Sequence, residues 1–259
     1  MILQDFHVHT TFCDGKNSAE EMVLAAIGLG MKKIGFSSHS YTSFDESYCM
    51  KKSQINLYKQ EIFRLKEKYK DRITVLCGIE QDIFSDMPAV GYDYIIGSVH
   101  YFKKDNLYIP IDESEETFKN IAVKYFGGDF ICLAQNYFNC IGNVVSKTRA
   151  NIIGHFDLIS KFNEGGKLFC ESDSRYIAYG IDAIKKLICF NAAFEINTGA
   201  ISRGYRTIAY PNEIFIKKIN SLGGKFILSS DAHSAETLCY KFSETEYMAK
   251  NLGLNLVNL

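Results

Sequence analysis

The sequence has no long apolar run and no excess of charge of either sign. No uninterrupted apolar stretch approaches the roughly 18 residues that a membrane-spanning helix needs. Lysine and arginine number 29 against 30 aspartates and glutamates, so the formal net charge is −1 and neither nucleic acid nor an anionic membrane is indicated as a partner. Asp5 and His7 interrupt the apolar start, which lacks the core of a signal peptide. We therefore expect a cytoplasmic protein.

Paired cysteines and linkers are missing as well. The eight cysteines are scattered and form no CxxC pair, which argues against a disulfide framework and against a cysteine-based zinc finger. We expect reduced thiols, as in a reducing compartment. No repeat, low-complexity tract or linker divides the 259 residues, a length that suits one large α/β domain. We predict a single domain over 1–259.

Short apolar strands alternate with longer amphipathic helices, the pattern of an α/β fold. The apolar runs predict seven strands, at 2–8, 33–38, 73–79, 92–99, 151–155, 192–197 and 225–230. A helix capped by Asn17 or Ser18 follows the first strand, and further helices are predicted at 53–70, 113–125, 130–146, 173–189, 211–222 and 243–251. Residues 102–148 are the least regular part. The pattern predicts a closed or nearly closed parallel barrel, with a doubly wound open sheet as the alternative.

All six histidines lie at or just after the carboxyl ends of predicted strands. His7 and His9 alternate with Val8, so their side chains point to the same face of the first strand. The remaining histidines and three carboxylates follow that strand or end the later ones: Asp14, His39, Glu80, His100, His155, Asp231 and His233. In a parallel barrel these ends share one rim, where enzymes of this architecture build their sites. A lone histidine is more often structural, but six on one rim indicate a site.

The residue types indicate metal chemistry. Imidazole and carboxylate without thiolate suit Zn, Fe or Mn, and nine candidate ligands exceed the three or four protein ligands of one catalytic zinc. Two or three ions that share bridging carboxylates fit the number better, and their positive charge would favour an anionic substrate such as a phosphate ester. Two of the six arginines, Arg203 and Arg206, follow the sixth strand and could grip phosphate oxygens. Glu195 and Asn197 on that strand could orient ligands or satisfy barrel hydrogen bonds.

Taken in order, these motifs resemble the PHP (polymerase and histidinol phosphatase) family. The resemblance rests on DFHVHT with Asp14, SSHS, GIEQD, GSVH, GHFD, EINT and SSDAH, and NTGAISRGYR is most similar to the stand-alone histidinol-phosphate phosphatases. It implies a distorted (β/α)7 TIM-like barrel with a trinuclear metal centre at the C-terminal rim of the strands. The implied ligand groups are His7, His9, Glu80 and Asp231; Glu80, His100 and His155; and Asp14, His39 and His233. Many relatives have histidine where Asp14 stands.

The resemblance also implies a reaction, the metal-dependent hydrolysis of L-histidinol phosphate to L-histidinol and phosphate in histidine biosynthesis. A bridging hydroxide would attack phosphorus while the metals and Arg203 neutralise the phosphate oxygens, with Asp231 and His233 as the other candidate catalytic residues. Three alternatives stay open: a nucleotide or phosphotyrosine phosphatase on the same scaffold, a module that binds metal without turnover, and amidohydrolase chemistry. The sequence does not indicate the oligomeric state.

Overall fold

The computed structural model describes residues 3–259, and parallel strands form its centre. In chain order the strands are β1 Gln4–Asp5, β2 Lys33–Phe36, β3 Thr74–Asp82, β4 Tyr94–Ser98, β5 Tyr101–Lys104, β6 Leu107–Pro110, β7 Ile152–Ile153, β8 Ala193–Asn197, β9 Lys225–Ser229 and β10 Asn255–Leu256. Eight of them form one parallel sheet in the order β1-β2-β3-β4-β7-β8-β9-β10. The other two, β5 and β6, form an antiparallel hairpin.

The main sheet curls until the continuations of β1 and β9 meet. Val8 pairs with Ala232 in parallel, with His9 N–H donating to the Ala232 carbonyl at 2.8 Å and Ala232 N–H donating to the His7 carbonyl at 3.0 Å. At the opposite end of β9, β10 pairs with Lys225 and Phe226. Closure at one end and an added strand at the other give a distorted TIM-like barrel. The predicted parallel barrel is confirmed, and the doubly wound alternative is wrong.

The helices follow the predicted order. They are α1 Ala19–Gly28, α2 Ile55–Tyr69, α3 Glu115–Phe126, α4 Phe130–Ile141, α5 Val144–Thr148, α6 Ser174–Leu187, α7 Gly199–Ser202, α8 Glu213–Ser221 and α9 Phe242–Asn251. Ser18 caps α1 in a capping box with Glu21, which explains why the helix begins there. The helix predicted at 130–146 is divided between α4 and α5. Pro211 precedes the Asn212 cap of α8 and does not lie in the first turn of the helix.

Two parts of the barrel differ from the sequence prediction. The first strand was predicted at 2–8, of which Ile2 lies outside the described residues, and its regular pairing ends at Asp5. Further along, the Val8 N–H donates to the Ser37 hydroxyl at 3.1 Å in place of a backbone carbonyl. The segment 102–148, which lacks regular periodicity, begins with the β5–β6 hairpin. Asp105 and Asn106 form its turn with φ of 50° and 62°, the left-handed conformation that a two-residue hairpin loop requires.

Two further features of the structure concern membrane-spanning helices and the state of the cysteines. Within residues 3–259 no helix is both long and apolar enough to cross a membrane. All eight cysteines are free, from the buried Cys49 to the exposed Cys170 and Cys189. The cytoplasmic location stays a prediction.

The barrel interior is filled by an apolar cluster around Tyr94. Phe6, Ile96, Ile152, Ala193 and Ile227 surround this ring. Gly78 makes room for it, because a Cβ there would lie 2.2 Å from Tyr94 Cζ. The Tyr94 hydroxyl lies 2.5 Å from the Phe6 carbonyl and 3.0 Å from the Phe36 carbonyl, so it ties β4 to the ends of the first two strands.

We predict that Tyr94→Phe lowers the free energy of unfolding by about 1–3 kcal/mol, because the one buried hydroxyl proton that two carbonyl groups share is lost. Urea unfolding followed by circular dichroism measures the change. The matched control is Tyr247→Phe, since Tyr247 is 69% exposed and its hydroxyl holds no strand. Equal unfolding free energies for the two variants would contradict the role assigned to Tyr94.

Candidate metal centre and active-site cavity

The nine side chains predicted as ligands meet at the carboxyl ends of the strands. Among the described residues they form four overlapping groups, and within each group the candidate ligand atoms lie within 4.8 Å of one another. The groups are His9, Asp14, His39 and His233; His7, Glu80 and His155; His7, His9 and Asp231; and His39, Glu80 and His100. Positions that are far apart in the sequence are therefore brought into one cluster, which we call the ligand cluster.

Glu80, which is 1% exposed on β3, is the centre of the ligand cluster. Five imidazoles have a ring nitrogen within 3.5 Å of its carboxylate: His39 at 2.8 Å, His155 at 3.0 Å, His7 at 3.2 Å, His100 at 3.4 Å and His9 at 3.5 Å. The sixth, His233, stacks on His9 with ring centroids 4.1 Å apart and contacts Asp14 at 3.3 Å.

The cluster contains buried polar atoms that have no hydrogen-bond partner among residues 3–259. They are His7 Nε2, His9 Nε2, His155 Nδ1 and Glu80 Oε2. His7 Nδ1 lies 2.7 Å from Glu195 and donates its proton there, so Nε2 directs its lone pair at Glu80 and Asp231, 3.2 and 3.6 Å away. Lone pairs that face one another in a buried site require a cation or an extra proton between them. With nitrogen and oxygen donors, the residues fit divalent transition-metal ions.

The charges of the cluster shift one another's pKa values. Burial by itself would raise the pKa of Glu80, but His39, His7 and His100 hold it well below its usual range. Burial by itself would lower the pKa of His7, yet Glu195, Glu80 and Asp231 hold it well above the usual value. Burial, together with the neighbouring His233 and His39, lowers the pKa of His9 to about 3. Without a metal ion, protons on some of the imidazoles therefore supply the missing positive charge.

Two further carboxylates orient imidazoles of the ligand cluster through their Nδ1 atoms. Glu195 on β8 is fully buried and accepts hydrogen bonds from His7 Nδ1 at 2.7 Å, from the His155 N–H at 2.9 Å and from Asn197 at 3.0 Å. Asp82 accepts from the His100 N–H at 3.0 Å and lies 3.2 Å from His100 Nδ1. The sequence reasoning did not single out Asp82. Its position two residues after Glu80 in the same strand, and hence on the same face, was the available signal.

A cavity of about 350 Å³ opens above the ligand cluster. Its floor includes Asp14, His39, His100, His155, Asp231 and His233. Its walls add residues that the sequence reasoning did not identify, including Asp45, Tyr48, Tyr101, Asp112, Glu113, Lys161 and Tyr205. Most of these belong to the loop at 41–49 and to the region of the β5–β6 hairpin, where no motif indicates a site. The volume suits a small molecule.

The structure brings Arg203, but not Arg206, to this cavity. Arg203 donates to the Asp231 carboxylate at 2.8 Å and to its carbonyl at 3.0 Å, and Gly199 leaves room for the pair, because a Cβ there would lie 2.8 Å from both side chains. Arg206 is 6% exposed and donates to the Ser160 carbonyl and to Glu171. The chain turns at Gly204, with φ of 75°, and this turn separates the two arginines.

The structure is a parallel α/β barrel with a polar cavity at the carboxyl ends of its strands, and clustered imidazoles and carboxylates form the floor of this cavity. These features place the chain in the class of barrel proteins whose sites can hold metal ions. The chain belongs to the PHP domain family, whose model matches residues 5–199.

Similar proteins of known name cover nearly the same length. The histidinol-phosphatase of Bacillus subtilis is 26% identical over 92% of this chain and 96% of its own, and that of Lactococcus lactis is 25% identical over 97% and 91%. A crystal structure of the Lactococcus lactis histidinol phosphate phosphatase, complexed with zinc, L-histidinol and phosphate, has a TM-score of 0.72 at 20% identity and covers 99% of this chain and 95% of its own. The structural likeness shows that the two chains share a fold.

We predict that Glu195→Gln weakens Zn²⁺ binding about 10–100-fold. The two oxygens of Glu195 accept separate hydrogen bonds from His7 and from the His155 N–H, and the NH₂ group that replaces one oxygen in glutamine cannot accept either of them. Competition with a chromophoric chelator measures the affinity. Glu213→Gln is the matched control, since the Glu213 side chain is 64% exposed and lies on α8. An unchanged affinity in Glu195→Gln would contradict the role of Glu195 in orienting His7.

We also predict that Zn²⁺ binding releases protons and strengthens as the pH rises. The pKa values of His7 and His100 are held well above the usual value, so a metal ion must displace their protons. A pH-indicator titration of the metal-free protein measures the release, and the apparent affinity should increase between about pH 6 and about pH 8. Binding without proton release would mean that the imidazoles are already neutral.

Proposed function

We propose that this chain is a histidinol-phosphatase that hydrolyses L-histidinol phosphate to L-histidinol and phosphate. The observation that carries the proposal is the convergence of nine imidazole and carboxylate side chains around Glu80, at the floor of a cavity that Arg203 also lines. The names of relatives that match more than nine-tenths of the chain support it. So does the presence of L-histidinol and phosphate in the Lactococcus lactis structure.

The proposed cofactors are two or three divalent ions of Zn, Fe or Mn. One would be held by His7, His9, Glu80 and Asp231, a second by Glu80, His100 and His155, and a third by Asp14, His39 and His233. When bound, such ions lower the pKa of a water molecule and neutralise phosphate oxygens. The carboxylate of Asp14 subtracts charge from the third group.

The protein's own contribution to the reaction is positioning. The Asp231 carboxylate holds Arg203, whose planar guanidinium offers paired N–H donors that match two oxygens of a phosphate. Arg203 Nη1 also lies 3.0 Å from His233 Nδ1, so these three side chains form one linked group at the cavity floor. Asp231 itself has a φ of 51°, a strained conformation that aspartate tolerates and that is often found at functional sites. We propose Arg203, Asp231 and His233 as catalytic residues.

Phosphate release from a panel of monoesters tests the proposed function. We expect kcat/KM for L-histidinol phosphate to exceed the values for a nucleoside monophosphate and a phosphotyrosine peptide, and we expect a chelator to abolish turnover until Zn²⁺ or Mn²⁺ is restored. Metal-loaded protein without turnover would favour a binding module. Equal values of kcat/KM across the panel would overturn the assigned substrate.

Substitution of Arg203 and of Arg206 should have different effects on KM and on the free energy of unfolding. Arg203→Lys keeps a positive charge beside Asp231 but loses the paired donors, so we expect KM for the phosphate ester to rise about tenfold or more with the metal content unchanged. Arg206→Lys should leave KM unchanged and lower the free energy of unfolding by about 1–3 kcal/mol, because Ser160 and Glu171 lose hydrogen bonds. Steady-state kinetics and urea unfolding separate the two effects. A KM increase in Arg206→Lys but not in Arg203→Lys would reverse the assignment.

A further inference from the structure

One wall of the cavity is built from segments that supply no member of the ligand cluster. These are the loop at 41–49 and the hairpin region at 101–113. Phe44 stacks on Tyr108 with ring centroids 3.8 Å apart, and the Tyr101 hydroxyl donates to Asp45 at 2.5 Å. The Tyr48 ring lies 4.9 Å from the His39 ring, so the wall reaches down to the floor of the cavity. Packing therefore fixes this wall beside the ligand cluster.

Three carboxylates, from Asp45, Asp112 and Glu113, line this part of the cavity. Asp45 is already engaged, because one oxygen accepts from the backbone and hydroxyl of Ser47 and the other accepts from Tyr101. Glu113 is exposed to solvent. Asp112 is half-buried, with a side chain 26% exposed, and keeps capacity to accept hydrogen bonds.

Asp112 lies next to the ligand cluster and is held in place. The preceding residue, Ile111, donates its N–H to the His100 carbonyl at 3.0 Å, so the backbone at Asp112 lies close to that of His100, and both residues line the cavity. Lys161 donates to the Asp112 carbonyl at 2.7 Å and to Oδ2 at 3.3 Å. Among the described residues, 3–259, none donates a hydrogen bond to the other oxygen, Oδ1. Burial by itself would raise the pKa of Asp112, but Lys161, His100 and His155 lower it, so the group stays ionised.

The cavity therefore has a positive floor and a wall on which the carboxylates of Asp45, Asp112 and Glu113 outnumber the ammonium group of Lys161. Arg203 and the proposed metal ions would attract a phosphate group to the floor, and Asp112 presents a carboxylate oxygen to the space beside it. In L-histidinol phosphate the ammonium group lies on the second carbon from the ester oxygen. A phosphate at the floor consequently leaves the ammonium close to the floor and away from the outer rim, where Glu113 lies. The half-buried position of Asp112, in contrast to the exposed Glu113, matches this arrangement.

We propose that Asp112 determines substrate specificity by binding the ammonium group of the substrate, and that the site selects phosphate esters of 2-amino alcohols. This inference rests on the proposed function. The rings of Tyr48 and Tyr101 offer the adjacent apolar surface for the heteroaromatic end of the substrate. A nucleotide or a phosphotyrosine side chain has no cation at the corresponding position and gains nothing from Asp112.

The test compares two substrates that differ by the amine alone, L-histidinol phosphate and 3-(imidazol-4-yl)propyl phosphate. In the parent enzyme the ratio of their kcat/KM values should favour the amine by about 10–100-fold, the range for a hydrogen bond to a charged group. In Asp112→Asn the ratio should fall to within a few-fold of unity. Asp105→Asn, the same substitution at the turn of the same hairpin, should keep the parent ratio.

The outcomes separate the two proposals. A parent enzyme that prefers the amine, with the preference intact in Asp112→Asn, would overturn the inference and leave the proposed function standing. A parent enzyme that hydrolyses neither compound would overturn the proposed function and the inference together. If Asp112→Asn loses metal or fails to fold, the same ratio of kcat/KM values measured in Asp112→Glu tests the inference instead. With its metal content intact, a ratio near the parent value supports the inference, and a ratio near unity overturns it.

Discussion

The carboxylate of Glu80, buried among five imidazoles, is the constraint on which the rest of the structure depends. A buried carboxylate is costly unless opposite charge and hydrogen bonds surround it. Here the compensation comes from the ends of four strands and requires all of them to finish at one level. The barrel must therefore close, and the pairing of Val8 with Ala232 brings the first and the last parts of the chain to the same rim.

The interior of the barrel separates an apolar half from a charged half. Tyr94 fills the space below the cluster, and its hydroxyl secures the two carbonyl groups that precede the ligand-bearing segments of the first and second strands. Above it, Glu195 and Asp82 fix the orientations of His7 and His100. Such supporting carboxylates hold each imidazole so that one nitrogen is directed at the metal position. The apolar packing thus gives the charged cluster a rigid base.

The cavity combines this rigid floor with a wall of different origin. The ligand cluster and Arg203 form the floor, where the proposed function places a phosphate group. The loop at 41–49 and the β5–β6 hairpin shape the space that the rest of a substrate would occupy. Metal chemistry and substrate selection are consequently assigned to separate parts of the chain. Variation in the hairpin could change specificity without disturbing the cluster.

Without the family resemblance, the hydrophobic pattern leaves a closed barrel and an open sheet as alternatives. The sequence by itself determined an α/β fold of parallel strands and the nine candidate ligands, because strand periodicity is local and parallel strands end on a common rim. It did not determine the hairpin, whose turn at Asp105 and Asn106 lies in a segment without regular periodicity. The tertiary structure alone decided that Arg203 reaches the cavity while Arg206 binds Glu171, and that Asp112 lines the same cavity as His100. The physical reason is that a side chain's partners in a loop depend on segments far away in the chain, and sequence spacing carries no record of their packing.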